Sequence, residues 1–531
     1  MMRRIGTAAA LAVLAVLAVT PAATAAAPPP DDTGRSWEVA GMLPFASQGD
    51  ISALAMMNTG SGAVRQAQFP DYFAFNAAYS PDARTVYGTG YVWDSLGAVF
   101  AAHDAATGDI LWQVRTDEGQ SGRALAVSPD GSVAMTGWAA VDLVTHEVET
   151  FSPCGDDSIP YAVAISPDGS TAWHTCSFDD PTPNLELRAY DVDTLAPVET
   201  IRIPGHYPGV AQGIEITPDG STAMISRSYQ ATGEHTSIPV VLRVDLTTGT
   251  YATLELDTRN TISISPDGTH AYVAASNPGS ALDTGVDEDP PPDHRGDEAP
   301  IPAAVTVALC AIDIATLTVT VSVPLNAVHA DPAVSPDGAH VYAATWDLDG
   351  PAGARSGIST HETASLARLR DTPVADRSIR TLAITPDQAP IARLTASEPN
   401  SPVTFDASAS TVEFGTISEY AWDFGDGAST VTTTPTVEHE YAEPGEFTAT
   451  VRLTSSGGTS TEDVYTGKQL LRNGDASAVA TVTVTVPAAV STKLPPTGFQ
   501  GAWVAIVGFG MLVAGVTAVT RRRVQHGREG A

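Results

Sequence analysis

The sequence predicts an all-β chain in two folded regions, the larger of them a seven-bladed β-propeller. Three observations carry this. A tetrapeptide that begins Ser/Thr-Pro-Asp, with Gly in fourth place in five copies, recurs seven times between Ser80 and Gln388, and a second, aspartate-led turn signal follows most copies. Beyond Gln388 the tetrapeptide disappears and a different alternation of aromatic and aliphatic residues begins. A chain of 531 residues, 43% of them hydrophobic, has ample material for two or three cored domains.

The chain opens with Arg3 and Arg4, an apolar run from Ala8 to Val19 and the small residues Ala23-Thr24-Ala25. Charge, apolar core and small-residue cleavage site, in that order, mark residues 1–25 as a secretory signal, the run being too short to span a bilayer. Export to an oxidising compartment would permit a disulfide. Of Cys154, Cys176 and Cys310, the first two lie close together in adjoining predicted strands and are the candidate pair, leaving Cys310 as a small buried hydrophobe.

Residues 36–387 hold the repeats. The copies begin at Ser80, Ser128, Ser166, Thr217, Ser265, Ser335 and Thr385, each after a short apolar run such as Ala124 to Val127. Proline fixes the first turn angle and glycine supplies a positive one, so each copy reads as strand, tight turn, strand. The second signal, as in Asp104 to Gly108, Asp191 to Thr194 and Asp313 to Thr316, pairs an aspartate with a threonine three residues on. That pair caps a second hairpin. Two hairpins make a four-stranded blade, and about 50 residues per repeat suits a propeller. The seventh copy has no hairpin behind it, while Asn58 to Gly62 is a turn without a tetrapeptide. Residues 37–69 are therefore expected to supply the outer strands of the blade whose inner strand is 380–385, which removes an open edge. The repeats resemble the seven-bladed propellers of bacterial surface-layer and quinoprotein-dehydrogenase-like proteins and, less closely, lactonase-type propellers.

Residues 388–487 carry Tyr420-Ala421-Trp422-Asp423-Phe424-Gly425-Asp426-Gly427, then His439-Glu440-Tyr441, then a strand alternating Phe447, Ala449, Val451 and Leu453. These elements resemble the polycystic-kidney-disease (PKD) domain, which implies an immunoglobulin-like β-sandwich ending in a strand at 479–486. Gly457 to Ala476 is longer than a hairpin needs and reads as an added loop. Asp423 and Asp426 are read as turn-fixing residues rather than metal ligands.

After a spacer at 488–493, residues 494–531 contain Leu494-Pro495-Pro496-Thr497-Gly498, an apolar stretch at 502–519 and the basic tail Arg521-Arg522-Arg523. The stretch is long enough to span a bilayer and the arginines resist translocation, so the pentapeptide would be held just outside the membrane. In this order the three parts resemble the sorting signal of LPXTG-type wall-anchored surface proteins of Gram-positive-type bacteria. The resemblance implies that a sortase cleaves after Thr497 and joins it to peptidoglycan, making the chain a secreted, wall-anchored protein whose tail spans the membrane only before sorting.

The net charge of -34, with Lys468 and Lys493 the only lysines, repels phosphate backbones and excludes nucleic acid as a partner. No nucleophile elbow, zinc-spaced histidines, phosphate loop or dinucleotide fingerprint occurs, so no catalytic residue, metal ligand or cofactor is assigned. Loops preceding inner strands line one mouth of a propeller channel, where ligands bind. Those places hold Arg123, His206, Arg259, His329 and Arg380. They would either hold an anionic ligand or pair with nearby acids such as Asp117, Asp257, Asp331 and Asp376. The acidic, proline-rich segment 283–298 reads as a solvated loop. The function expected is a binding or adhesion module for a glycan or an extracellular protein. The alternative is an extracellular propeller enzyme, lactonase-like or a cofactor-dependent dehydrogenase.

Overall fold

The computed structural model describes residues 36–488 apart from 45–51, 70–71, 93–96, 116–123, 156–159, 179–183, 205–210, 228–230, 233–234, 237–239, 257, 277–306, 326–329, 347–355, 376–378, 380, 399–401 and 466–469. Among these residues the chain is all-β, with one 3-10 turn at Ala476–Ala478. The repeat region forms seven four-stranded antiparallel sheets. Their inner strands are Phe73–Tyr79, Leu125–Val127, Val163–Ile165, Ala211–Ile216, Thr258–Ile264, Ala330–Val334 and Leu382–Ile384, and here they number blades one to seven. Each inner strand lies against the next, and the seventh lies against the first, so the ring is closed.

Closure joins the two ends of the repeat region. Leu382–Ile384 pairs with Glu38–Leu43 in the register Gly41↔Leu382 and Val39↔Ile384. Blade seven then continues outward through Ser52–Asn58 and Val64–Phe69. Successive side chains along a strand point to opposite faces, and both faces of a blade are covered by neighbours. Ile214, Ile225 and Leu242 of blade four thus pack with Leu185, Leu187 and Ile203 of blade three, all fully buried. Each such side chain contributes about 1.5–3 kcal/mol.

The tetrapeptide acts through one repeated hydrogen-bond set. In blade two the Ser128 hydroxyl donates to Asp130 at 2.7 Å and accepts from Val133 N at 2.9 Å, while Asp130 accepts from Ser132 N at 3.0 Å. Gly131 closes the turn at φ 71°, a region costly for residues with a Cβ. It also sits on the preceding blade, since a Cβ there would lie 3.1 Å from Pro81. Gly169 on Pro129, Gly220 on Pro167, Gly268 on Pro218 and Gly338 on Pro266 repeat that contact around the ring.

The seventh copy departs from the set. Its fourth residue is Gln388, whose amide donates to Pro81 O of blade one at 2.7 Å. Its aspartate, Asp387, is fully buried and accepts hydrogen bonds from Ser455 and, at 2.7 Å, from Thr459 of the C-terminal sandwich. Asp387–Gln388 pairs in parallel with Leu470–Asn473, and Asn473 donates to Gln388 Oε1 at 2.9 Å. The segment read from sequence as an added loop is therefore what grips the propeller. Trp37, just ahead of the first strand, completes the joint by packing beside Phe414 and Gly415.

The C-terminal region is a sandwich of a three-stranded sheet (Thr395–Ala396, Val403–Asp406, Thr436–His439) and a four-stranded one (Ser429–Thr432, Ile417–Asp423, Gly445–Ser455, Val479–Val486). Trp422, Phe405, Phe424 and Val451 share one core. Asp423 and Asp426 accept backbone N–H bonds from Gly425 and Ala428 at 2.9 and 3.0 Å, and Asp426 also meets His439 at 2.7 Å.

Candidate functional site: the channel mouth

Blade topology divides the propeller into two faces. Both repeated turns, the tetrapeptide and the Asp-led hairpin, lie on one face together with the joint to the sandwich. The other face is the mouth at which inner strands begin. Of the cations expected there, Arg259 lies in the backbone of the blade-five inner strand, Thr258–Ile264. Arg123, His206, His329 and Arg380 lie outside the described residues, as do Asp117, Asp257, Asp376 and the acidic segment 283–298. The signal segment 1–25, the pentapeptide Leu494 to Gly498 and the apolar stretch 502–519 also lie outside them. No helix among the described residues is long and apolar enough to cross a membrane.

Three inner strands bulge at the mouth. Pairing shifts between Ala74 and Asn76 in blade one, between Ala211 and Gly213 in blade four, and between Thr258 and Ile262 in blade five. A bulge breaks the ladder and bends its strand, and such features collect at barrel rims and functional sites. Gly213 lets blades four and five approach, because a Cβ there would lie 2.9 Å from Thr261 Cα.

Among the described residues, two buried carboxylates bridge inner strands of neighbouring blades. Glu215 Oε2 accepts from Ile264 N at 2.7 Å, and Asp331 Oδ1 accepts from Thr261 N at 3.1 Å and from its hydroxyl at 3.0 Å. An inner strand is a sheet edge whose N–H groups need acceptors, and blades four and six supply them to blade five. Glu215 escaped the sequence reading, although a carboxylate inside the apolar run Gly213-Ile214-Glu215-Ile216 is a visible signal. Asp331, read as a partner for the cationic loops, bonds the backbone of its neighbour blade. Both strands border a channel cavity of about 40 Å³, room for a water-sized occupant, lined by Glu215, Thr261, Ser263 and Ala77 among others. No group of three or more His, Cys, Asp or Glu side chains stands together for a metal among the described residues.

Beside the mouth, Cys154 and Cys176 are joined as a disulfide with Cα atoms 5.4 Å apart. It ties the segment entering blade three to that blade's second strand, Thr171–Phe178, while Arg188 and Tyr190 on the third strand, Asn184–Asp191, donate to Pro153 O at 3.2 and 2.6 Å. Cys310 is free and buried, and burial raises its thiol pKa.

Comparison with known proteins yields one family match and several distant structural likenesses. No curated protein matches the chain. A putative 6-phosphogluconolactonase of Bacteroides fragilis is 15% identical, covering 67% of this chain and 99% of that one at a TM-score of 0.46. The periplasmic gluconolactonase of Pseudomonas aeruginosa is 12% identical, covering 66% and 99% at 0.46. The hydrazine synthase of Kuenenia stuttgartiensis is 20% identical, covering 55% and 76% at 0.40. At such distances these likenesses say nothing about chemistry. Residues 386–467 match the PKD domain family, and the chain is a β-propeller followed by a PKD domain.

Proposed function

We propose that the protein is exported, cleaved after Thr497 and joined through it to peptidoglycan, where the propeller serves as a binding module for a glycan or an extracellular protein. The observation that carries this is the order Leu494 to Gly498, apolar 502–519, Arg521 to Arg523. The joint adds support. The sandwich grips the turn-bearing face of the propeller through Asp387 and Gln388, which leaves the bulged mouth clear of it.

Mass spectrometry of peptidoglycan digests tests the anchoring: the expected product is a peptide ending at Thr497 linked to a wall amine. Recovery of an intact 498–531 tail in the mature protein would end the proposal. Expression of Thr497→Ala should leave the protein out of the covalent wall fraction.

The enzyme reading keeps one specific support, the carboxylate of Glu215 on the channel cavity. Turnover of a lactone or an alcohol by the full chain, lost in Glu215→Gln while the melting temperature holds, would establish it over the binding reading.

A further inference from the structure

We propose that a cavity where blades five and six meet the sandwich binds a short peptide as a zwitterion, its carboxylate on Arg472 and its ammonium on Asp267 and Asp337. The site belongs to the turn-bearing face and is independent of what the channel mouth binds. The cavity measures about 440 Å³, within the range of small-ligand sites. Its propeller wall carries two tetrapeptide aspartates, Asp267 of blade five and Asp337 of blade six. His270 stands on the same wall, its Nδ1 already shared with the Thr269 hydroxyl at 2.7 Å. Arg472 lines the cavity from the sandwich strand Leu470–Asn473.

Charges of both signs thus line one cavity without meeting. Arg472 forms no ion pair or side-chain hydrogen bond among the described residues, and its Nε is shut off from solvent with no acceptor. A guanidinium carries five N–H donors in a fork that fits a carboxylate, so a buried donor left over is a place for an acceptor. The group is braced from behind. A Cβ at Gly458 would lie 3.3 Å from Arg472 Cζ, and the Arg472 backbone pairs with Asp387 in the joint. Such bracing lowers the ordering cost of binding. On the propeller wall, Asp267 and Asp337 fix their turns through Oδ1, accepting from Thr269 N at 3.0 Å and from Ala339 N at 2.9 Å. Oδ2 of each has no hydrogen-bond partner among the described residues, whereas in blade four Asp219 Oδ2 accepts from Ser221 at 2.9 Å.

Ligand chemistry follows from this separation of charge. A simple anion drawn to Arg472 meets two carboxylates in the same cavity, and a chain of net charge -34 around it. A simple cation drawn to Asp267 and Asp337 meets the guanidinium. A molecule that carries a carboxylate at one end and an ammonium at the other satisfies both walls at once. Pro266, Val321 and Ala364 supply apolar lining between the charged groups, which suits small aliphatic side chains on a peptide of two or three residues.

Titration calorimetry of the full chain with dialanine and with trialanine tests the proposal. Binding of at least one is expected, weakened about tenfold or more by Arg472→Met and by the pair Asp267→Asn with Asp337→Asn, which keeps Oδ1 for each turn. N-acetyl-trialanine amide, which bears neither charge, should not bind. Arg472→Met should melt as the unmodified protein does, since Arg472 has no partner among the described residues to lose. Should it loosen the joint instead, the asparagine pair, which lies in the propeller alone, decides the matter. Binding of neither peptide overturns the proposal, as does binding that the asparagine pair retains in full. Acetate bound as tightly as the peptides would also overturn it, by making the cavity a plain anion site. None of these outcomes bears on wall anchoring or on the channel mouth.

Discussion

His174 is buried in blade three with both ring nitrogens unpartnered, and it touches Phe151 and Tyr190 edge-on at 5.6 and 5.9 Å. Desolvation lowers its pKa to about 3, against 6.5 unfolded. Below pH 6.5 the unfolded chain takes up a proton that the folded chain refuses. This contribution is therefore fully present above pH 6.5 and is lost toward pH 3 at about 1.4 kcal/mol per pH unit. Denaturant titrations of His174→Phe between pH 7 and 4 should show a correspondingly shallower acid loss. An unchanged slope would mean that the imidazole finds a partner. In the same blade, the disulfide of Cys154 with Cys176 closes a loop of 22 residues. Replacing both by serine should lower unfolding free energy by about 3 kcal/mol, as chain-entropy arguments give for such a loop, measurable by urea denaturation.

Between neighbouring blades one device appears three times among the described residues. Arg65, Arg243 and Arg370 each donate to two carbonyls in a turn of the next blade: Ala105 and Ala106, Ile314 and Ala315, Thr59 and Gly60. In every case these are the two residues after the Asp or Asn that leads the turn. A forked guanidinium suits two adjacent oxygens, whereas an ammonium offers a point charge. Arg370→Met should cost about 1–2 kcal/mol and Arg370→Lys most of that. Equal stability of the lysine variant in thermal melts would count against the fork. The Asp-led turns are acid-sensitive: Thr194 hydroxyl and backbone bonds hold Asp191 below the usual carboxylate range, and Thr316 does the same for Asp313. Their contribution is present above the ordinary carboxylate pKa and fades as pH falls below it.

For the whole molecule the decisive joint is Asp387. Burial raises its pKa, with the Ser455 and Thr459 hydroxyls pulling the other way. Its contribution is therefore fullest below the unfolded value near 3.8 and declines as pH rises toward the folded one. Asp387→Ala would leave two buried hydroxyls without their acceptor, at a cost of about 2 kcal/mol or more. Calorimetry of that variant should resolve propeller and sandwich into separate transitions, and Asp387→Asn, which keeps an acceptor, should melt closer to the parent. A single unchanged transition in the alanine variant would show that the parallel strand pair and Trp37 suffice.

Much of this architecture was legible before any coordinates, because turns are local. Proline, aspartate and glycine at fixed spacing dictate backbone angles and nearby hydrogen bonds wherever they occur, so blade rhythm, the split blade and the aromatic pattern of the sandwich could be read residue by residue. The channel was less legible. Glu215 and Asp331 serve N–H groups of another blade. Asp387 looked like one more turn aspartate until Ser455 and Thr459, about 70 positions away, closed over it. Contacts of that kind depend on which strands become neighbours, and only the folded ring and its sandwich decide that.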